Sequence, residues 1–212
     1  DHRDLHSFPT RRSSDLRVRD IAIKEVPEDI QPVYRRFATE YGPFLNQVKV
    51  FAHRPTALKH IMGLLMELAE DQVLPKRYLE ISLVTVSKLN ECHYCVGHHT
   101  PRLVEQGFSP ETVAGILEPE VQGFDEIDLL VRDFARQVTK NANRIDEEIF
   151  DRMRQHFSEE QIVELTLRTA LCGFFNRFND ALMIDVEEGV IEDMLKHGSS
   201  LGELPENPGP AS

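Results

Sequence analysis

Past residue 16, apolar residues recur three and four positions apart along most of the chain, and no sustained two-residue alternation of the kind a half-buried strand needs interrupts them. The pattern predicts an all-α fold. Candidate helices cover residues 31–41, 44–52 and 55–71, with Gly42-Pro43 and Arg54-Pro55 as the breaks. Pro75, at a first-turn position, opens "PKRYLEISLVTVSKLN". The β-branched residues Ile81, Val84, Thr85 and Val86 suit a strand, but Leu79, Leu83, Val86 and Leu89 share one helical stripe, so this segment reads as helix. The next helix runs to about Gln106 and stops at Gly107. Ser109-Pro110-Glu111 reads as N-cap, N1 and N2 of a short helix over 110–117, and further helices fit 125–139 and 146–157. Ser158 with Gln161 forms a capping box ahead of the long apolar helix "EEQIVELTLRTALCGFFNRFNDALMI", in which Gly173 is a place to bend.

The ends read differently from the middle. "HSFPTRRSSDL", residues 6–16, resembles a translated sequencing adapter, so residues 1–16 are set aside and the natural start is expected to be missing. Residues 17–197 are expected to form one all-α domain, and 198–212, rich in Gly, Pro and Ser, a disordered tail.

A formal net charge of −12 opposes binding to nucleic acid or to an anionic membrane through any extended surface, leaving small molecules or proteins as partners. The longest apolar runs, such as 61–66, are far too short to span a bilayer. Three cysteines are an odd count and too few for a secreted disulfide scaffold, and no leader-like pattern opens the chain. These features point to a reducing cytoplasm, where a close cysteine pair is redox-active or metal-binding.

That pair lies in "ECHYCVGHH", residues 91–99. With Cys92 at or just before a helix start, Cys95 falls in the first turn and His99 lies one i,i+4 step beyond it on the same face. The helix dipole and free N–H groups lower a thiol pKa there, His99 can accept the proton, and Cys92 can condense with an oxidised Cys95. Glu80 stands twelve residues before Cys92 in an apolar helix. It is either a buried carboxylate with a partner or a solvated residue near the helix start.

Other readings compete. A c-type haem site needs His directly after the second cysteine, where Val96 stands. Zinc could draw on Cys92, Cys95 and either His98 or His99, but a second knuckle is lacking. Cys172 reads as a small core residue and His53 and His60 as isolated. His98 faces a different side from His99, at the surface or in a supporting role. Asn176, Arg177 and Asn179 read as bridges between helices or subunits, Pro101 as a kink, and the Glu118-Pro119-Glu120 and Glu187-Glu188 runs as solvated surface.

Glu80, eleven intervening residues, then Cys92-x-x-Cys95-x-x-x-His99 resembles the signature of the AhpD-like alkylhydroperoxidases within the carboxymuconolactone decarboxylase superfamily. The likeness runs over residues 58–118 and more loosely through "FNRFNDAL", 175–182. It implies a helical bundle assembling into a homo-oligomer, a trimer or hexamer, with dithiol peroxidase activity. The substrate would be a small hydroperoxide, the reductant an external dithiol or redox protein, with no metal or organic cofactor. The resemblance assigns Glu80 and His99 to a proton relay, Cys95 to peroxide attack and Cys92 to resolution, whereas helix-dipole reasoning alone favours Cys92 as the low-pKa thiol. Two alternatives stay open: a lyase of aromatic degradation, whose members generally do not depend on a cysteine pair, and a redox-sensing helical module without turnover.

Overall fold

The helix that organises the bundle is α5 (Lys76–Leu89), because it is apolar or small on every side. Residues 80–87 are all buried, as a helix enclosed on all faces must be. Its hydroxyls leave nothing orphaned: Ser82, Thr85 and Ser87 donate to the Leu79, Ile81 and Leu83 carbonyls at 2.6 to 2.7 Å. Around it pack α6 (His93–Val104), α8 (Glu126–Asn141) and α10 (Glu159–Leu182).

The structure, a computed structural model, describes residues 16–196, within which all regular structure is helical. Of the adapter-like residues 1–16, 1–15 lie outside the described residues, as do residue 197 and the tail 198–212. Among the described residues no helix is long and apolar enough to cross a membrane.

The capping signals act where the sequence puts them. Ser109 accepts from the Thr112 N–H ahead of α7 (Pro110–Ala114), and Ser158 and Gln161 form the box that opens α10. Asp125 caps α8 with Asp128, and Asp146 precedes α9 (Glu147–His156). Pro75 stands at the N-cap of α5, with extended ψ, one position before the expected first turn. The two helices expected over 31–41 and 55–71 are each interrupted by a widened π-type turn. α1 (Gln31–Arg36) passes into Phe37–Tyr41, and α3 (Pro55–Ala57) passes through Leu58–Met62 into α4 (Gly63–Asp71). The wider turns serve packing: Phe37 stacks on Tyr41 with centroids 4.7 Å apart, and Leu58 and Met62 are both wholly enclosed. α2 (Leu45–Phe51) lies between them.

Two elements went unread in the sequence, a 3-10 turn at Ile23–Glu25 and α11 (Glu188–Lys196). α10 ends on Met183 in the left-handed region (φ 57°), which turns the chain back so that α11 packs on α6. Gly97 makes room for that return, since a Cβ there would lie 3.2 Å from Val186 Cγ1. One apolar cluster joins α1 to α4 with Cys92, Tyr94 and Cys95, and a second fills the space between α5, α8 and α9 around Ile81, Phe134 and Met153. The cysteine pair therefore sits inside the first core.

Candidate active site

The α5–α6 hairpin builds the site. Glu91, in the left-handed region (φ 55°), turns the chain, and the Cys92 N–H bonds the Ser87 carbonyl at 3.0 Å, so Cys92 becomes the N-cap of α6. Glu80 lies on α5 before this turn and His99 on α6 after it, and the packing of the two helices brings them face to face. Glu80 Oε2 meets His99 Nδ1 at 2.8 Å. Glu80 is 2% exposed, so the solvated alternative falls. Burial pushes its carboxyl up, but the charge and hydrogen bond of His99, with Arg102 and Lys76 behind, outweigh burial and hold it below its ordinary value of 4.5. Glu80 is thus an acceptor at neutral pH, which places a proton on His99 Nδ1, so that in the neutral ring Nε2 carries the lone pair.

Cys95 occupies the first turn of α6 as expected, but its thiol is pushed well above the usual range. Hydrogen bonding with Cys92 contributes most, then burial, then the charges of Cys92 and Cys172, against a smaller opposing pull from Asn176. For Cys95 this differs from the lowered thiol that the helix dipole alone would give: the dipole contributes only about 0.3–1 kcal/mol, less than the Cys92 hydrogen bond and burial together. At rest the Cys95 thiol is held neutral; Cys92, Cys95 and Cys172 are all free and buried. Cys95 and His99 line a common cavity of about 40 Å³, walled otherwise by Phe37, Phe44, Leu65, Phe175 and their neighbours. Asn179 donates to Cys95 Sγ at 3.4 Å and accepts from Gln47 at 2.9 Å.

A second carboxylate went unrecognised. Glu187 is not solvated surface: it accepts from the Asn46 N–H at 2.7 Å and the Tyr94 hydroxyl at 3.0 Å, and it pairs with His98 Nε2 at 2.8 Å. His98 is correspondingly not at the surface. It is 3% exposed and stacks on Phe44 with centroids 4.2 Å apart. Burial lowers its pKa more than Glu187 raises it, so the ring is held neutral. No local pattern marks Glu187, because all three partners arrive from more than eighty residues away.

The remaining polar residues of α10 divide. Asn176 accepts from Asn90 and donates to Cys172, and Asn179 bridges Gln47 to Cys95, but Arg177 is exposed and bonds the Gly173 carbonyl of its own helix. Cys172 lies in the core, and burial pushes its thiol to about 12. α6 continues through Pro101 to Val104. Among the described residues no group of three or more His, Cys, Asp and Glu is arranged to hold a metal.

The model of the carboxymuconolactone decarboxylase family matches residues 55–121. YdfG of Bacillus subtilis (strain 168) is 21% identical over 139 residues, 65% of this chain and 94% of its own. A peroxidase-related protein of Ralstonia eutropha JMP134, an alkylhydroperoxidase AhpD core, superposes with TM-score 0.71 at 23% identity, covering 82% of this chain and 93% of that one. A peroxidase-related protein of Silicibacter sp. TM1040 gives 0.71 at 20%, over 91% and 99%. The debrominase Bmp8, solved with 2,3,4-tribromopyrrole, gives 0.67 at 20%, over 84% and 95%. The family match contains the whole Glu80-to-His99 constellation, so this part of the chain is similar to the carboxymuconolactone decarboxylase family, and the solved structures share its all-α fold.

Proposed function

We propose that the protein is a dithiol peroxidase that reduces small organic hydroperoxides. The observation that carries this reading is the 2.8 Å contact between ionised Glu80 and His99, whose second nitrogen belongs to the ring lining the Cys95 cavity. A thiol held neutral in an apolar core needs a base at the moment of attack, and His99 supplies it while Glu80 stabilises the imidazolium. The Cys95 thiolate then attacks the terminal peroxide oxygen: an S–O bond forms, the O–O bond breaks, and the alkoxide takes the proton back from His99. Cys92 attacks the resulting sulfenic acid, releasing water and closing a Cys92–Cys95 disulfide, and an external dithiol reduces it.

The cavity size supports a hydroperoxide over a bulkier electrophile such as the brominated pyrrole bound by Bmp8. Its roughly 40 Å³ admits about three water-sized groups, enough for an –OOH head and too little for a substituted ring. Turnover requires a reducing compartment such as the cytoplasm. Homo-oligomeric assembly belongs to the same reading; Val163, Leu167 and Phe174 form an exposed apolar row on α10, and light scattering checks the assembly.

The test is dithiol-dependent reduction of a small alkyl hydroperoxide by wild type, Cys95→Ser and His99→Ala. Sustained turnover by wild type alone supports the reading, equal rates in all three overturn it, and one equivalent consumed without turnover replaces it with the sensor.

A further inference from the structure

Arg168 is 4% exposed near the middle of α10, yet among the described residues no carboxylate pairs with its guanidinium. Its hydrogen-bond partners are neutral: the Tyr41 hydroxyl at 3.2 Å and the Leu65 carbonyl at 3.5 Å. Glu164, one turn earlier, meets Arg168 through charge alone, without a hydrogen bond, and burial outweighs that attraction in raising its carboxyl above the ordinary value. A buried cation without a hydrogen-bonded anion is costly, and the cost is tolerated where the charge has a use.

Its position suggests that use. Outside the thiol cavity lies a cleft of about 1020 Å³ bordered by α4, the start of α5, α6 and α11. Tyr41 and Arg168 are the two residues that line both spaces, so this hydrogen-bonded pair forms the partition between the open cleft and the enclosed cavity that holds Cys95 and His99. Tyr41 closes the π-type turn Phe37–Tyr41, a backbone irregularity that recurs at functional sites.

We propose that Arg168, held by Tyr41, binds the substrate oxygen that leaves. This rests on the peroxidase reading above. The organic part of the hydroperoxide lies in the cleft, its –OOH head passes the Tyr41–Arg168 partition, and the terminal oxygen meets Cys95. As the S–O bond forms and the O–O bond breaks, the electron pair departs on the substituted oxygen. That charge develops among apolar walls, where a preorganised guanidinium stabilises it before the proton from His99 arrives. Arg168 thereby acts on the leaving group, and His99 and Glu80 act on the nucleophile.

The two roles separate by changing the electrophile. Reduced full-length wild type, Arg168→Lys, Arg168→Gln and Tyr41→Phe are each reacted, at one pH, with cumene hydroperoxide and with iodoacetamide, whose iodide leaving group needs no such help. Arg168→Gln is expected to slow hydroperoxide oxidation on the order of 100-fold, the loss typical of one oxyanion donor, with alkylation nearly unchanged and Arg168→Lys in between. Hydroperoxide oxidation as fast as wild type overturns the proposal, and so does a parallel fall in both reactions, which marks a structural or thiol-activating role. If Arg168→Gln does not fold, Tyr41→Phe decides by the same comparison: slower oxidation with unchanged alkylation supports the proposal, and equal rates overturn it. Wild type that alkylates at Cys95 but does not react with hydroperoxide overturns the peroxidase reading itself and this proposal with it.

Discussion

Asn179 donates its side-chain amide to the Cys95 sulfur at 3.4 Å, and the amide cannot turn away, because its oxygen accepts from Gln47 at 2.9 Å. The donor aimed at the thiol is therefore fixed from α2, an element distant in sequence from both helices of the site.

Replacing that donor should leave the thiolate less stabilised. A hydrogen bond to a charged group contributes about 1.5–3 kcal/mol, so Asn179→Leu is expected to slow Cys95 alkylation at neutral pH by roughly tenfold or more. The pH profile of alkylation should move to higher pH; an unmoved profile would show that Asn179 only packs.

Glu80 links the site to acid stability. Its folded pKa lies below its ordinary 4.5, so it contributes stability that is present above pH 4.5 and lost as the pH falls through the folded value. Thermal unfolding followed from pH 7 downward should show an acid-dependent loss below about 4.5 in wild type that Glu80→Gln lacks. The same variant should lose on the order of 100-fold in peroxidase rate, since Gln neither fixes the His99 tautomer nor stabilises its cation.

His98 titrates with the same sign from a higher starting point. Its folded pKa is lowered from 6.5 by burial, so the unfolded chain binds more protons and stability declines as the pH falls below about 6.5. His98→Asn should flatten that part of the curve. Comparing melting temperatures at pH 7.5 and 5.5 tests it, and an equal decline in both proteins would contradict the assignment.

Glu187→Ala deprives the Asn46 N–H, the Tyr94 hydroxyl and the His98 ring of their shared acceptor. With each unsatisfied donor costing about 1 kcal/mol or more, denaturant unfolding should report a loss of about 3 kcal/mol. A loss under 0.5 kcal/mol, the range of ordinary surface substitutions, would show the network to be incidental.

Cys172→Ser should keep peroxidase activity. Its thiol is near 12, a thiolate fraction of about 10⁻⁴ at pH 8, and its neighbours Ser87 and Asn176 are not bases, so native-state alkylation should label Cys172 more slowly than Cys95, which shares its cavity with His99. Mass spectrometry of briefly alkylated protein checks both statements.

The parts of this site that the sequence disclosed are those whose partners lie close along the chain. Glu80 and His99 flank one hairpin turn, and Cys95 and His99 share one helix face, so spacing alone sets their geometry. Ser158 and Gln161 announce α10 for the same reason. The dipole misjudged Cys95, because it is opposed by the hydrogen bond with Cys92 and by burial under the helices packed over α6. Glu187, Gln47 and Arg168 were hidden more completely, since each enters the site from an element whose position is fixed by tertiary packing. The π-type turn that places Tyr41 breaks the very periodicity by which helices are recognised.

The return of the chain after Met183 sets an order of events during synthesis. Tyr94 and His98 are laid down early, but the carboxylate they share belongs to Glu187, and the segment against Gly97 is Val186. A nascent chain that has released only the cysteine helix holds a hydroxyl and an imidazole with no acceptor and an uncovered helix face. The helix that carries the cysteine pair thus gains its finished surroundings only once residue 187 has left the ribosome.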